Sequence, residues 1–258
     1  MITIERKMIH SIPLLEVVAE QNRNKEVGTI FFFHGFTSYK EVNLHYAYFL
    51  ADEGFRVILP DCEYHGERAS DEAKTFPELG LNFWNIIIKA IQELQVLRDE
   101  YVMKGKTDPE KVGVAGTSMG GFITLGALTQ YDWISAAVSL MGCPAYIEFA
   151  KLAIRQFKKD GHFLPFSDAE IKRELERLSR FDLSLHPEKL KQRPLLFWHG
   201  EKDTIVPYRL AYEFYQAVKE DYRAVPERLQ FIGDPQAEHK VTRRGVEATV
   251  RHFQTFLR

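Results

Sequence analysis

The chain has 258 residues, 45% of them hydrophobic and 27% charged, and a formal net charge of -2 at pH 7. This size and composition fit one globular core with an embellishment, and the near balance of charge argues against nucleic-acid or anionic-membrane partners. Two cysteines, Cys62 and Cys143, lie far apart in no metal-ligand spacing, which argues against a disulfide framework or a zinc site and fits a reducing, cytoplasmic setting.

The N-terminus lacks the apolar core of a signal peptide, and no stretch approaches about 18 apolar residues. Residues 2–9 and 13–19 are β-like runs separated by little, which predicts an antiparallel hairpin on a sheet edge. Residues 29–33 form a continuous apolar strand, 41–52 a helix ended by Gly54 as a left-handed cap, and 55–59 the next strand. Asn82 is placed to cap a long helix with an apolar face of Phe83, Ile87, Ala90, Leu94, Leu97 and Tyr101, stopped by Gly105. Then come a strand at 112–115, a helix at 119–130 and strands at 136–140, 194–198 and 228–232. A last helix from Thr242 carries Val246, Val250, Phe253 and Leu257 on one side. Strands alternating with helices in this way predict a mostly parallel sheet flanked by helices.

Between Gly142 and Arg193 the alternation breaks, because two helix-like segments follow one another with no strand between them. Residues 143–193 therefore read as a helical cap inserted into a single domain spanning 1–258. Ser167 and Glu170 form a capping box for the second helix, with Phe166 and Ile171 in the positions of a hydrophobic staple.

Gly116-Thr117-Ser118-Met119-Gly120 matches G-x-S-x-G, a pattern with a chance occurrence of about 0.1 in a chain this long. Its setting is more specific: it follows an apolar strand and opens a helix, as a nucleophile elbow requires. A serine hydroxyl needs a base to take its proton and a carboxylate to orient that base. Of the nine histidines, His239 lies between the strand at 228–232 and the last helix, at the sheet edge where ligand sites of parallel sheets gather. His252 falls inside the last helix, His10 in the hairpin, and His162 and His186 in the cap. Asp203 stands just past the strand at 194–198, with Glu201 and Asp234 as competitors.

A tetrahedral oxyanion needs two converging amide donors, and the N–H groups of Phe36 and Met119 are the candidates. Within His34-Gly35-Phe36, His34 takes a structural role, its ring bonding the loop backbone. Asp61 and His65, four apart in Asp61-Cys62-Glu63-Tyr64-His65-Gly66-Glu67-Arg68, suggest a metal pair. Lacking a further ligand at suitable spacing, that stretch reads instead as a hydrogen-bonded loop, and no metal site is expected. The cap aromatics Tyr146, Phe149, Phe157, Phe163, Phe166 and Phe181 suit either an acyl pocket or plain packing.

With these residues the chain resembles the α/β-hydrolase superfamily, especially small bacterial carboxylesterases near the dienelactone-hydrolase and prolyl-oligopeptidase-like branches. The resemblance rests on HGF at 34–36, DCEYHGER at 61–68, GTSMGG at 116–121, HGEKDTIVP at 199–207 and His239, and it covers nearly the whole length. Ser118, Asp203 and His239 follow the order this fold uses. The resemblance implies a serine esterase acting on a small-molecule ester without a cofactor. Dienelactone hydrolases proper use a cysteine where this chain has Ser118, and peptidases of the prolyl-oligopeptidase type add an N-terminal propeller for which this chain has no room. An amidase, aminopeptidase or thioesterase would use the same triad, and a non-catalytic binding protein of this fold would typically have lost part of it.

Overall fold

The structure, a computed structural model, describes residues 1–73, 75–161 and 165–258, with the side chain of Glu72 left aside. His162 and Phe163 lie outside the described residues. The core is an eight-stranded sheet of β1 (Ile2–Ile9), β2 (Ile12–Ala19), β3 (Val27–Phe33), β4 (Arg56–Pro60), β5 (Thr107–Thr117), β6 (Ala136–Leu140), β7 (Leu195–Gly200) and β8 (Leu229–Asp234). Their spatial order is β1-β2-β4-β3-β5-β6-β7-β8. The β1–β2 hairpin is antiparallel and joins β4 antiparallel at one side, while β4 through β8 are mutually parallel.

Alternation along the strands divides the core in two, because successive side chains point to opposite faces. Phe31 and Phe33 of β3, Val112 and Val114 of β5 and Leu195 and Phe197 of β7 pack on one face. That face is covered by α3 (Phe83–Met103), α4 (Met119–Gln130) and α7 (Tyr208–Val218). Ile30 and Phe32, Ala115, and Leu196 and Trp198 pack on the other, under α1 (Leu44–Asp52) and α8 (Arg243–Phe256). Strands covered on both faces read as the continuous apolar runs seen in the sequence.

The remaining helices are α2 (Phe76–Leu81), α5 (Tyr146–Lys159) and α6 (Asp168–Leu178). Between β6 and β7 the described residues hold α5, α6 and three short 3-10 turns, with no strand. The Ser167–Glu170 capping box forms at the start of α6, whereas Phe166, expected in a staple, remains 45% exposed.

Two local expectations change. The helix expected at 41–52 begins as a 3-10 turn, Lys40–Asn43, before α1. Asn82 makes no side-chain cap for α3; its Nδ2 donates to Glu78 O, because it also ends α2. No described helix is long and apolar enough to cross a membrane.

Candidate active site

Because β3, β5, β7 and β8 run parallel, the loops after them meet along one edge of the sheet, where open α/β sheets bind ligands. These loops carry His34 to Phe36, Ser118, Asp203 and His239.

Ser118 sits between β5 and α4 at φ 53° and ψ -114°, a conformation that costs a non-glycine residue about 1–3 kcal/mol. Its surroundings hold it there: Ser118 N–H donates to Leu140 O at 2.7 Å, and Ser118 O accepts from Gly121 N at 2.8 Å and Phe122 N at 3.1 Å. The turn is possible because position 120 is glycine. A Cβ on Gly120 would run into the carbonyl of Phe33, a backbone atom at the end of β3 that has little freedom to move.

The Ser118 hydroxyl lies 2.7 Å from His239 Nε2, and His239 Nδ1 lies 2.6 Å from Asp203 Oδ2. A carboxylate only accepts, so Nδ1 carries the proton and Nε2 is free to accept from Ser118. The other oxygen, Asp203 Oδ1, accepts from the backbone N–H groups of Ile205 and Val206, both at 2.9 Å. Burial works to raise the Asp203 pKa, but bonds from His199, His239 and Val206 N–H outweigh it and hold the carboxyl below the usual range. Asp203 is thus a buried, ionised carboxylate bonded to His239.

Neither competing acid bonds His239, whose Nδ1 faces Asp203. Asp234 accepts from Thr242 Oγ1 and from Gln236 N–H, and Glu201 is exposed.

One contact here was not foreseen. His199 Nε2 lies 2.9 Å from Val206 O and 3.2 Å from Asp203 Oδ2. Facing two acceptors, it carries a proton, so Asp203 stands between two imidazoles. The signal in the sequence was a histidine four residues before the acid, on a strand buried on both faces.

The Gly35 backbone approaches Ser118 closely: a Cβ at Gly35 would stand 3.5 Å from Ser118 Cβ. Phe36 follows Gly35 in the chain and Met119 follows Ser118, so the two candidate amides belong to residues adjoining this contact. His34 is fully buried and spans the loop, donating from Nδ1 to Gly35 O at 2.8 Å and accepting Cys62 N–H on Nε2 at 3.0 Å. Burial is the main cause of its low pKa of about 4, so the ring is neutral.

Asp61 accepts Lys40 N–H on Oδ1 at 3.0 Å, and on Oδ2 both Lys40 Nζ at 2.5 Å and Glu67 N–H at 3.0 Å. His65 Nε2 accepts the Thr37 amide. Both members of the suspected metal pair thus serve the loop. Cys62 and Cys143 are free and buried, and burial is the main cause that pushes both thiols well above their ordinary range.

The cap aromatics divide. Tyr146 is fully buried, donating its hydroxyl to Phe122 O at 2.5 Å, and Phe181 packs against the core. Phe149 is half-buried in a ring cluster with Phe83, Trp84 and Phe122, which Phe83 links to Phe36. A cavity of about 550 Å³ opens beside the same loop, lined among others by Thr37, Tyr39, Tyr64, His65 and Phe76, with none of the described cap residues in its wall.

The chain is a serine hydrolase of the α/β-hydrolase class, as its family and relatives show. The chain belongs to the prolyl oligopeptidase family, whose profile matches residues 41–258. It is 48% identical to YitV of Bacillus subtilis (strain 168), which carries an esterase name, over 257 residues and the full length of both chains. It is 30% identical to Esterase YjfP of Escherichia coli (strain K12), again over both full lengths. In fold it matches TT1662 from Thermus thermophilus with a TM-score of 0.73 at 19% identity, covering 100% of this chain and 98% of that one.

Proposed function

We propose that the protein is a carboxylesterase in which Ser118 is the nucleophile, His239 the general base and Asp203 the orienting acid. The observation that carries this reading is the unbroken hydrogen-bond line from Ser118 Oγ through His239 to the buried Asp203 carboxylate.

Ser118 Oγ attacks the ester carbonyl while its proton passes to His239 Nε2, and the carbonyl π pair moves to oxygen. The resulting oxyanion accepts from the amides of Phe36 and Met119, which as backbone donors need little reorganising. Collapse expels the alcohol, which takes the proton from His239. Water, activated by the same imidazole, then releases the carboxylic acid and regenerates Ser118. The residues supply every group this acyl transfer needs, so no cofactor enters.

The names of YitV and YjfP support ester over amide substrates. The half-buried Phe149, Phe83 and Phe36 support an apolar acyl group of modest size. The two buried, unpaired thiols fit a reducing, cytoplasmic location.

Peptidases in the same family make the amide the alternative to test. The experiment is hydrolysis of p-nitrophenyl acetate and butyrate beside the matched anilides and thioesters. The expected result is a kcat/KM for the oxygen esters above that for the anilides by at least about a hundredfold, a difference of about 2.7 kcal/mol in barrier. Preferential anilide or thioester cleavage would replace the esterase reading.

A further inference from the structure

The loop following β3 makes a tight turn in which Ser38 N–H donates to Gly35 O at 3.2 Å and Thr37 takes a positive φ of 61°. Two peptide planes matter there. The Gly35–Phe36 peptide carries the Phe36 N–H, and its carbonyl is pinned by Ser38 N–H and by His34 Nδ1. The next peptide, Phe36–Thr37, has its carbonyl held by Thr37 Oγ1 at 2.6 Å and its N–H held by His65 Nε2 at 3.1 Å. Because each peptide is planar, fixing one end fixes the other, and adjoining planes share only the Phe36 φ and ψ as freedom.

His65 is suited to this contact. A ring nitrogen facing an N–H must be the unprotonated one, so the proton is on Nδ1, which donates to Glu63 O at 2.8 Å. The ring is 3% exposed and lies against both Phe36, with ring centroids 5.7 Å apart, and His34, at 5.1 Å.

Its backbone is fastened as well: His65 N–H donates to Cys62 O, and His65 O accepts from Arg68 N–H. Gly66 follows at φ 54°, with the Asp61 carboxylate where a side chain would be. Asp61 in turn takes the buried Lys40 ammonium and the Lys40 amide. The bracing runs from the end of β4 to the loop after β3.

We propose that His65 is a positioning residue of the oxyanion hole: its neutral imidazole holds the Phe36–Thr37 peptide and so keeps the Phe36 N–H aimed at the developing oxyanion. The inference rests on the reading of Phe36 as an oxyanion donor. It accounts for a buried polar ring with both nitrogens bonded to loop backbone, and it assigns the loop at 61–68 to catalysis instead of to a metal.

The test compares the full-length wild type with His65→Gln and His65→Leu. Both side chains fill the space, but only glutamine presents an oxygen that can accept the Thr37 N–H. The readouts are kcat and KM for p-nitrophenyl acetate, the rate of Ser118 phosphonylation by a fluorophosphonate, which also builds charge on an oxygen in the hole, and the thermal unfolding midpoint.

We expect His65→Leu to lower kcat and the phosphonylation rate by about tenfold to a hundredfold, since a displaced donor costs less than a deleted one. KM should stay within about threefold, and His65→Gln should recover most of the rate, because the interaction is strongest in the transition state. Equal losses in the two variants, or a folded His65→Leu enzyme with the wild-type kcat, would overturn the proposal while leaving the esterase reading intact. A wild type that neither hydrolyses esters nor takes the label contradicts the reading of the site, and the inference with it.

Discussion

Ser118 Oγ and His239 Nε2 stand 2.7 Å apart although 121 residues of chain separate them. Parallel pairing from β5 to β8 makes this possible, because it brings the ends of both strands to one edge of the sheet. The contact serves a base only if the imidazole keeps its proton on Nδ1, and that depends on Asp203.

Asp203→Asn therefore tests the orienter. Asp203 Oδ1 accepts two backbone amides, so an asparagine would place its oxygen there and turn its NH2 toward His239. The imidazole would answer with the other tautomer, leaving Nε2 protonated and unable to accept from Ser118. We predict a fall in kcat of about four orders of magnitude, the scale known for this change in serine proteases, with little effect on KM. Steady-state hydrolysis of p-nitrophenyl acetate measures it, and a loss of less than about tenfold would mean that Asp203 does not set the tautomer.

Gly120→Ala addresses the elbow. The added methyl meets Phe33 O, which belongs to a central strand. Either β3 or the Ser118 turn must shift, so activity should drop by at least about a hundredfold even in the fraction that folds, since small displacements of a nucleophile are that costly. Circular dichroism beside active-site titration separates the folded fraction from its activity.

Stability should depend on pH through two buried histidines. Burial is the first cause that lowers both His34 and His252 from 6.5 to about 4. An unfolded chain protonates each near pH 6.5, while the folded chain resists until about pH 4. The unfolded state thus holds more protons throughout that window, and stability falls as the pH is lowered across it, by about 1.4 kcal/mol per unit for each histidine at most. Asp203, held low by its partners, adds its own loss only below the ordinary carboxylate range. The unfolding midpoint followed from pH 7 to pH 4 should decline, and His252→Leu should make the decline shallower by about one proton's worth. A midpoint flat across that range would show that neither ring is held neutral.

Phe149→Ala probes the acyl side. Phe149 is half-buried against Phe83 and Phe122, and Phe83 touches Phe36. Removing the ring should leave acetate hydrolysis within about threefold while changing kcat/KM for butyrate and longer esters by about tenfold, the scale of a few methylene contacts. Parallel changes for all chain lengths would assign Phe149 to packing alone.

Much of this architecture was legible because parallel strands covered on both faces appear as uninterrupted apolar runs, and residues 136–140 and 119–130 match β6 and α4 end to end. The candidates Ser118 and Asp203 were visible because each follows such a run, and His239 because it lies between the edge strand β8 and the last helix. What escaped depends on contacts between distant segments or on weak local signals. α2 is only 6 residues long, too short for periodicity, although Thr75 and Glu78 form a capping box with a proline in the first turn. That helix takes Asn82 as its end, which is why the residue does not cap α3 with its side chain. The 3-10 turn before α1 begins at Lys40, whose backbone and ammonium are both tied to Asp61. The bond of His65 to Thr37 joins residues 28 apart and exists only because β3 and β4 are neighbours.

Whether Ser118 is the activated nucleophile is decided by covalent labelling with a fluorophosphonate followed by peptide mass spectrometry, with the Ser118→Ala variant beside the wild type. We expect one adduct per chain on the peptide that holds Ser118, loss of ester turnover in step with its formation, and neither adduct nor turnover in Ser118→Ala. An adduct on another residue, or ester hydrolysis that survives in Ser118→Ala at more than about a thousandth of the wild-type rate, would contradict it.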